Sequence, residues 1–222
     1  MTTFAKHPSA LIHLTLTFVL ILFLTSCSEI IDGSQIDNSL ENIEEVSLID
    51  GADNITVTVN KGEESYFILD IQNISGQFYH LGEARLGWCI DWQTPIDSNG
   101  GVYPGVKAYS TLGVQSWSRI NYILNHIGEL RTLFTDASYR EIQLVIWSLR
   151  GNPEFNLDEV NLEDLPPEFR ENGNPLFSRD LVRDILNYVD EKHSKWSYSE
   201  GDYYAVILET PADVQTLITV VQ

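Results

Sequence analysis

Positive charge is scarce in this chain. Its 13 Lys and Arg stand against 32 Asp and Glu, a net charge of −19. Nucleic-acid binding draws its affinity from basic patches facing phosphates, so that function class is excluded. Cysteine is scarcer still, with Cys27 and Cys89 the only two in 222 residues. Two thiols cannot build the disulfide framework of a small secreted scaffold or a four-cysteine metal site. The sequence has no HExxH, CxxC, Walker or dinucleotide motif, so neither a metal nor a cofactor is expected. The acids of "NLDEVNLEDLPPE" (156–168) lack the D-x-[DN]-x-[DN]-G order of a calcium loop and read as a solvated segment. Long apolar runs are missing too, apart from one near the start.

That run is "LIHLTLTFVLILFL", Leu11 to Leu24. It falls short of the roughly 20 apolar residues that span a bilayer. With Lys6 before it, it reads as the n-region and h-region of a secretory signal peptide over residues 1–26. The run ends in "LTSC", and Leu-Thr-Ser directly before Cys27 resembles the lipobox of bacterial lipoproteins. The resemblance implies cleavage before Cys27 and lipid on its sulfur and new amino terminus. Several acyl chains on one residue anchor firmly where one is marginal. The expectation is an exported protein held by lipid at a bacterial membrane, at the outer membrane or cell surface. Loss of Lys6, the only charged residue of 1–26, would take the net charge to −20.

Residues 27–53 are polar and acidic and read as a flexible tether. Residues 54–222 read as one α+β domain, long enough to bury a core. "ITVTV" and "SYFILDI" alternate as strands do, and "RLGWCID" (85–91) reads as a strand end carrying Cys89. The Gly-, Pro-, Asn- and Ser-rich stretch to about Ser110 reads as a loop. "SWSRINYILNHIGEL" is a helix ending near Gly128. "ASYREIQLVIWSLRGNP" is a second, opened by a Ser138/Glu141 capping box and stopped at Gly151. Residues 152–177 form a long irregular segment, "SRDLVRDILNYVDEKHSKW" a third helix, and "YYAVILE" and "LITVVQ" closing strands.

In the second helix Gln143 lies in line with the aromatic rings of Tyr139 and Trp147. A buried amide without partners costs roughly 1–3 kcal/mol, so it needs a partner or a task. Cys89 needs an explanation as well, since lipid on Cys27 leaves it no disulfide partner. "GWCID" (87–91), "INYILNH" (120–126) and "IQLVIW" (142–147), in that order, resemble the thioester domains of bacterial surface adhesins. Those domains have an aromatic or aliphatic residue before a Cys, a helix with a Tyr-Ile-Leu core, and a Thr-Gln-x-Ala-Ile-Trp type motif. The match covers most of the chain after Asn54. It departs in having Trp88 before the Cys, Ile142 for Thr and Val145 for Ala. The Cys and Gln positions are 54 residues apart, which implies a reduced subdomain between them.

The resemblance implies an internal thioester between the Cys89 sulfur and the Gln143 acyl carbon. It implies an amine-bearing partner, a protein or other surface ligand whose lysine would be captured covalently in a single acyl transfer rather than by enzymic turnover. Trp88, Asp91, Tyr122, His126, Tyr139 and Trp147 are expected to support the bond. Tyr139 and Trp147 would exclude water, while Asp91, Tyr122 and His126 would assist proton transfer. A thiol attacking an amide needs groups held in near-attack contact, which can be worth about 7–11 kcal/mol. Two alternatives remain open on the residues alone. One is a non-covalent binding or structural module in which Cys89 is a small core residue. The other is a cysteine hydrolase with His80, His126 or His193 as base. The anchoring expectation is tested by metabolic labelling with a clickable fatty acid. The wild type should label and Cys27→Ala should not, and equal labelling of both would remove the lipid anchor.

Overall fold

The structure is a computed structural model that describes residues 46–75 and 84–221. Cys27 and His80 lie outside them. The expected α+β class is observed: a closed antiparallel sheet with three α-helices among the described residues.

The strands are β1 (Ser47–Leu48), β2 (Ile55–Lys61), β3 (Phe67–Gln72), β4 (Arg85–Cys89), β5 (Asn99–Ser110), β6 (Arg170–Glu171), β7 (Asn174–Pro175), β8 (Tyr204–Glu209) and β9 (Leu217–Val221). The main sheet runs β1-β5-β2-β3-β4-β9-β8, and a further β5–β8 pairing closes it into a six-stranded barrel with β1 added beside β5. Alternation drives the closure. Ile55, Val57 and Val59 of β2 and Phe67, Leu69 and Ile71 of β3 all point inward and are buried, as a period of two requires.

β5 corrects the loop expected through Ser110. Its glycines read as loop punctuation, but they act as bulges. The β2–β5 register slips between Ile55 and Thr56, where Gly105 is skipped, and between Val59 and Asn60, where Gly100 is skipped. Both glycines have positive φ, +76° and +88°, which side-chain-bearing residues rarely adopt. An extra residue on one strand bends it and raises its twist. β5 can therefore follow β2 in its first half and reach β8 through Lys107–Ser110 in its second.

The structure also moves the start of the fold. Ser47 and Leu48, expected in the tether, pair with Ser110 and Tyr109. Ile49 and Ala52 behind them are buried.

The helices are α1 (Ser118–Leu133), α2 (Tyr139–Arg150) and α3 (Arg179–His193). α1 does not stop near Gly128. It kinks at His126 (φ −118°, ψ 17°) and continues to Leu133. The ring of His126 sits 2.7 Å from the Tyr122 carbonyl oxygen, one turn back. α1 is fixed to the barrel by Asn121, whose Oδ1 accepts the Ala205 N–H of β8 at 2.8 Å. Residues 152–177 are anchored rather than loose: Phe155, Leu157, Leu165, Phe169 and Phe177 are buried among the core side chains. Within them Asn172 and Gly173, both at positive φ, make the two-residue turn of the β6–β7 hairpin.

The expected capping box forms and does more than cap. Glu141 is buried, and its Oε2 accepts from the Ser138 N–H (2.9 Å) and Oγ (2.7 Å). Its Oε1 accepts the N–H of Ser178, the residue that caps α3, at 3.0 Å. One carboxylate thus holds two helix starts together. Loss of the Ser138 side chain removes one cap, worth about 1 kcal/mol. Loss of the Glu141 carboxylate leaves the Ser178 and Ser138 donors without it and should cost about 2–4 kcal/mol. Urea unfolding should therefore rank Glu141→Ala well below Ser138→Ala in stability.

Candidate functional site

Cys89 ends β4, and the ladder around it has a missing rung. β4 pairs with β9 on one side, and Ile90 N–H continues that side to the Thr216 carbonyl at 3.1 Å. On the other side Phe67 faces Gly87. The same register would set Ser65 opposite Cys89, but β3 begins at Phe67 and the chain turns away before it. The backbone N–H and C=O of Cys89 are then left pointing at no strand. The Gln143 amide fills the gap: its Oε1 accepts the Cys89 N–H at 3.1 Å, and its Nε2 donates to the Cys89 carbonyl at 2.7 Å. A side chain of α2 acts as the missing strand residue. Both residues are fully buried. Gly87 allows the tight approach of β3 beside this point, since a Cβ there would lie 2.6 Å from Leu69 Cγ.

This pairing answers the amide's need for partners and also sets up chemistry. It holds the Gln143 amide on the backbone of the residue that bears the thiol. The Cys89 N–H is aimed at the oxygen that would become an oxyanion if sulfur attacked that carbon. A second amide in the chain shows the pairing without the chemistry. Asn125 Nδ2 donates to the Tyr203 carbonyl at 2.5 Å and its Oδ1 accepts the Tyr203 N–H at 2.7 Å. That pair is exposed and its partner carries no thiol. The distinguishing features at Gln143 are burial and the Cys89 sulfur.

The surroundings hold the thiol in its neutral form. Burial pushes the Cys89 pKa well above the ordinary thiol range, and the carboxylates of Asp91 and Glu168 push the same way. The Trp147 indole acts in the opposite direction, as an N–H donor toward the sulfur. Its geometry is too loose for an ordinary hydrogen bond, and Nε1 has no partner at normal distance. The contact is a weak polar one. Among the described residues, which leave out His80, no imidazole acts on Cys89. The rings of His126 and His193 each face a backbone carbonyl of their own helix, at 2.7 and 3.0 Å. This arrangement does not favour the hydrolase alternative.

The expected supporting residues divide. Trp147 is fully buried and belongs to the site, and Asp91 is buried beside it. Asp91 Oδ1 accepts the N–H groups of Gln93 (2.9 Å) and Thr94 (3.0 Å), while Oδ2 has no partner. Tyr139 borders the site through Tyr66, with ring centroids 6.1 Å apart. Trp88 is buried, but strand alternation sends it to the face opposite Cys89. Tyr122 and His126 are stacked on each other at 4.0 Å, and both meet Trp196 edge-on.

Two residues at the site were not anticipated. Tyr66 packs edge-on against Trp147 at 6.0 Å and donates its hydroxyl to Glu168 Oε1 at 2.7 Å. Burial, then the Cys89 sulfur and Glu168, push its pKa far up. Tyr66 read as part of a strand and Glu168 as part of a solvated loop, and no local motif marks either one.

No protein-family model matches the sequence, and comparison with curated proteins gives no match either. Four solved chains do match. The N-terminal domain of the Streptococcus pyogenes pilus tip adhesin Cpa is 10% identical with a TM-score of 0.45, over 80% of this chain and 97% of that one. The N-terminal thioester domain of the fibronectin-binding protein SfbI from Streptococcus pyogenes is 13% identical with a TM-score of 0.44, over 76% and 93%. The N-terminal thioester domain of a Clostridium perfringens surface protein is 10% identical with a TM-score of 0.43, over 75% and 97%. These three are N-terminal domains of bacterial proteins, a pilus tip adhesin, a fibronectin-binding protein and a surface protein, and two of them are thioester domains by name.

The rung geometry predicts an unusual mutant series. Gln143→Leu strands a buried N–H and a buried C=O and should cost about 2–4 kcal/mol. Gln143→Glu can keep both bonds only as a protonated acid, so burial raises its folded pKa above the unfolded value near 4.3. Relative to wild type, its stability should be highest below about pH 4 and fall as pH rises through the folded pKa. A pH-independent difference between Gln143→Glu and wild type in urea melts would contradict the pairing.

Proposed function

We propose that the chain is a surface-anchored lipoprotein whose domain joins Cys89 and Gln143 in an internal thioester and uses it to capture an amine, a lysine on a partner protein or other surface ligand. The observation that carries this reading is the double hydrogen bond between the Gln143 amide and the backbone of Cys89 inside a dry core. Anchoring through lipid on Cys27 rests on the sequence, because that residue lies outside the described ones.

In this mechanism the Cys89 sulfur adds to the Gln143 carbonyl carbon. Negative charge gathers on Oε1, where the Cys89 N–H already donates. The thiol proton leaves by way of Asp91, whose Oδ2 is buried and without a partner, and ends on Nε2. The carbon–nitrogen bond breaks and ammonia departs. Positioning does most of the work, since the neutral thiol is a weak nucleophile and the amide a poor electrophile. The rings of Tyr66, Trp147 and Phe169, with centroids 5.2–6.0 Å apart, exclude water from the bond. An incoming amine then takes the acyl carbon, forms an isopeptide bond at Gln143 and returns Cys89 to the thiol. Each molecule acts once, which makes it a covalent binder rather than an enzyme.

The same rung supports a second reading. Gln143 completes the ladder as Asn125 does at Tyr203, and the domain binds a partner without a bond.

Intact mass separates the two. The chain carrying Cys27→Ser should be lighter than its sequence mass by one ammonia, resist thiol reagents while native, and gain methylamine at Gln143. Cys89→Ala should restore the full mass, because the amide then has no attacker. A full mass together with a freely alkylated Cys89 would leave the non-covalent module.

A further inference from the structure

In a chain this acidic, arginine should find acids easily. Seven of the eight arginines donate to an acid or a backbone carbonyl among the described residues or make an interaction with another group. Arg150 is the exception. Among the described residues its guanidinium packs over the Trp117 ring, 5.0 Å away, and pairs with no acid. Burial alone acts on its pKa, in the downward direction, and no acid opposes it. A half-buried guanidinium with donors unused is set up for an anion from outside the chain.

Its position gives the anion a context. Arg150 follows Gln143 by seven residues on α2, with Trp147 between, so all three share one face, about 10 Å apart end to end along the axis. Arg150 also forms part of the wall of two cavities. The first, about 310 Å³, is bordered by Ile90, Trp147, Asn152, Glu154 and Phe155. Two of its wall residues lead back to the Cys89–Gln143 pair: Ile90 follows Cys89 in the chain, and Trp147 lies one turn beyond Gln143 on α2. The cavity holds the carboxylate of Glu154 and sits at the C-terminal end of α2, and both favour a cation. The second, about 270 Å³, is bordered by Gln115, Ser118, Arg119 and His193 and has no acid in its wall. It lies at the first turn of α1, which carries no acidic residue, and a helix start favours an anion. The two cavities have opposite electrostatic preferences, with Arg150 between them.

We propose that Arg150 and these cavities form a recognition site for a lysine with a carboxylate close by in the partner chain. The ammonium enters the cavity at Glu154 and Trp147, and the carboxylate pairs with Arg150 on the side of Arg119 and His193. The lysine half rests on the capture reading, while the carboxylate half rests on Arg150 alone.

Two peptides test it, acetyl-Lys-Gly-Glu-amide and acetyl-Lys-Gly-Gln-amide, against the full chain carrying Cys27→Ser. Covalent addition at Gln143, followed by intact mass, should run roughly tenfold faster for the Glu peptide, as one charge-assisted pair at a half-exposed site allows. The ratio of the two rates is read within each protein, so a general loss of reactivity does not disturb it. It should fall to about one in Arg150→Gln and take a middle value in Arg150→Lys. A ratio near one in the parent, or one unchanged in Arg150→Gln, overturns the proposal. Should the parent take up neither peptide and show its full mass, the capture reading has failed, and Cys89→Ala decides the carboxylate half. NMR titration of that variant should show the Glu peptide binding in an Arg150-dependent way and the Gln peptide binding more weakly. Equal binding of both overturns it.

Discussion

The site depends on a rung that the sheet does not supply. β3 starts two residues too late to face Cys89, so a buried N–H and C=O need partners from elsewhere. Backbone groups in that position are almost always satisfied. Here the partner is the Gln143 amide, which fixes the distance and rotation of α2 relative to β4 through two directional bonds. Packing alone would tolerate a helix sliding or turning by some tenths of an ångström. A two-point amide contact tolerates much less, and the proposed acyl chemistry would demand that precision.

The rest of the architecture supplies the rigidity this needs. The barrel closes only because β5 bends at Gly100 and Gly105, and closure leaves β4 held by β3 and β9 on its two edges. α2 is fixed at its start by the Glu141 carboxylate, which also holds the cap of α3. Along its length Trp147 is wedged among Tyr66, Phe155 and Phe169. The groups around Trp147 thus come from the residue just before β3 and from the segment after α2.

Much of this was legible in the sequence because the signals are local. Period-two alternation marks β2 and β3, the Ser138-x-x-Glu141 box marks the start of α2, and the single unpaired cysteine with an in-line glutamine marks the pair. β5 was illegible because glycine is ambiguous: the same residue serves loops and bulges, and only the neighbouring strands decide which. Tyr66 and Glu168 were missed for a different reason. They are 102 residues apart, and their contact with each other and with Cys89 is created by the fold. Tyr122 and His126 are the converse case. They stand in a motif of the family resembled, and the ring partners the fold gives them are each other and Trp196. Arg150 carried no motif at all, and it stands out only because no acid among the described residues pairs with it.

On the capture reading, the rung also governs the fate of the thioester once it has formed. When ammonia leaves, the Cys89 N–H keeps its acceptor in Oε1, but the Cys89 carbonyl loses the donor that Nε2 provided. A buried acceptor without a partner costs about 1–3 kcal/mol, so the thioester sits in a site less satisfied than the amide it replaced. Attack by water would leave a carboxylate at position 143. Its second oxygen would face the Cys89 carbonyl oxygen, two acceptors opposed in a dry core beside Asp91 and Glu168. Attack by an amine leaves a neutral amide and brings no new charge. The polarity of the rung, one donor and one acceptor on the same residue, therefore disfavours the charged product of hydrolysis relative to capture, in addition to the exclusion of water by the surrounding rings.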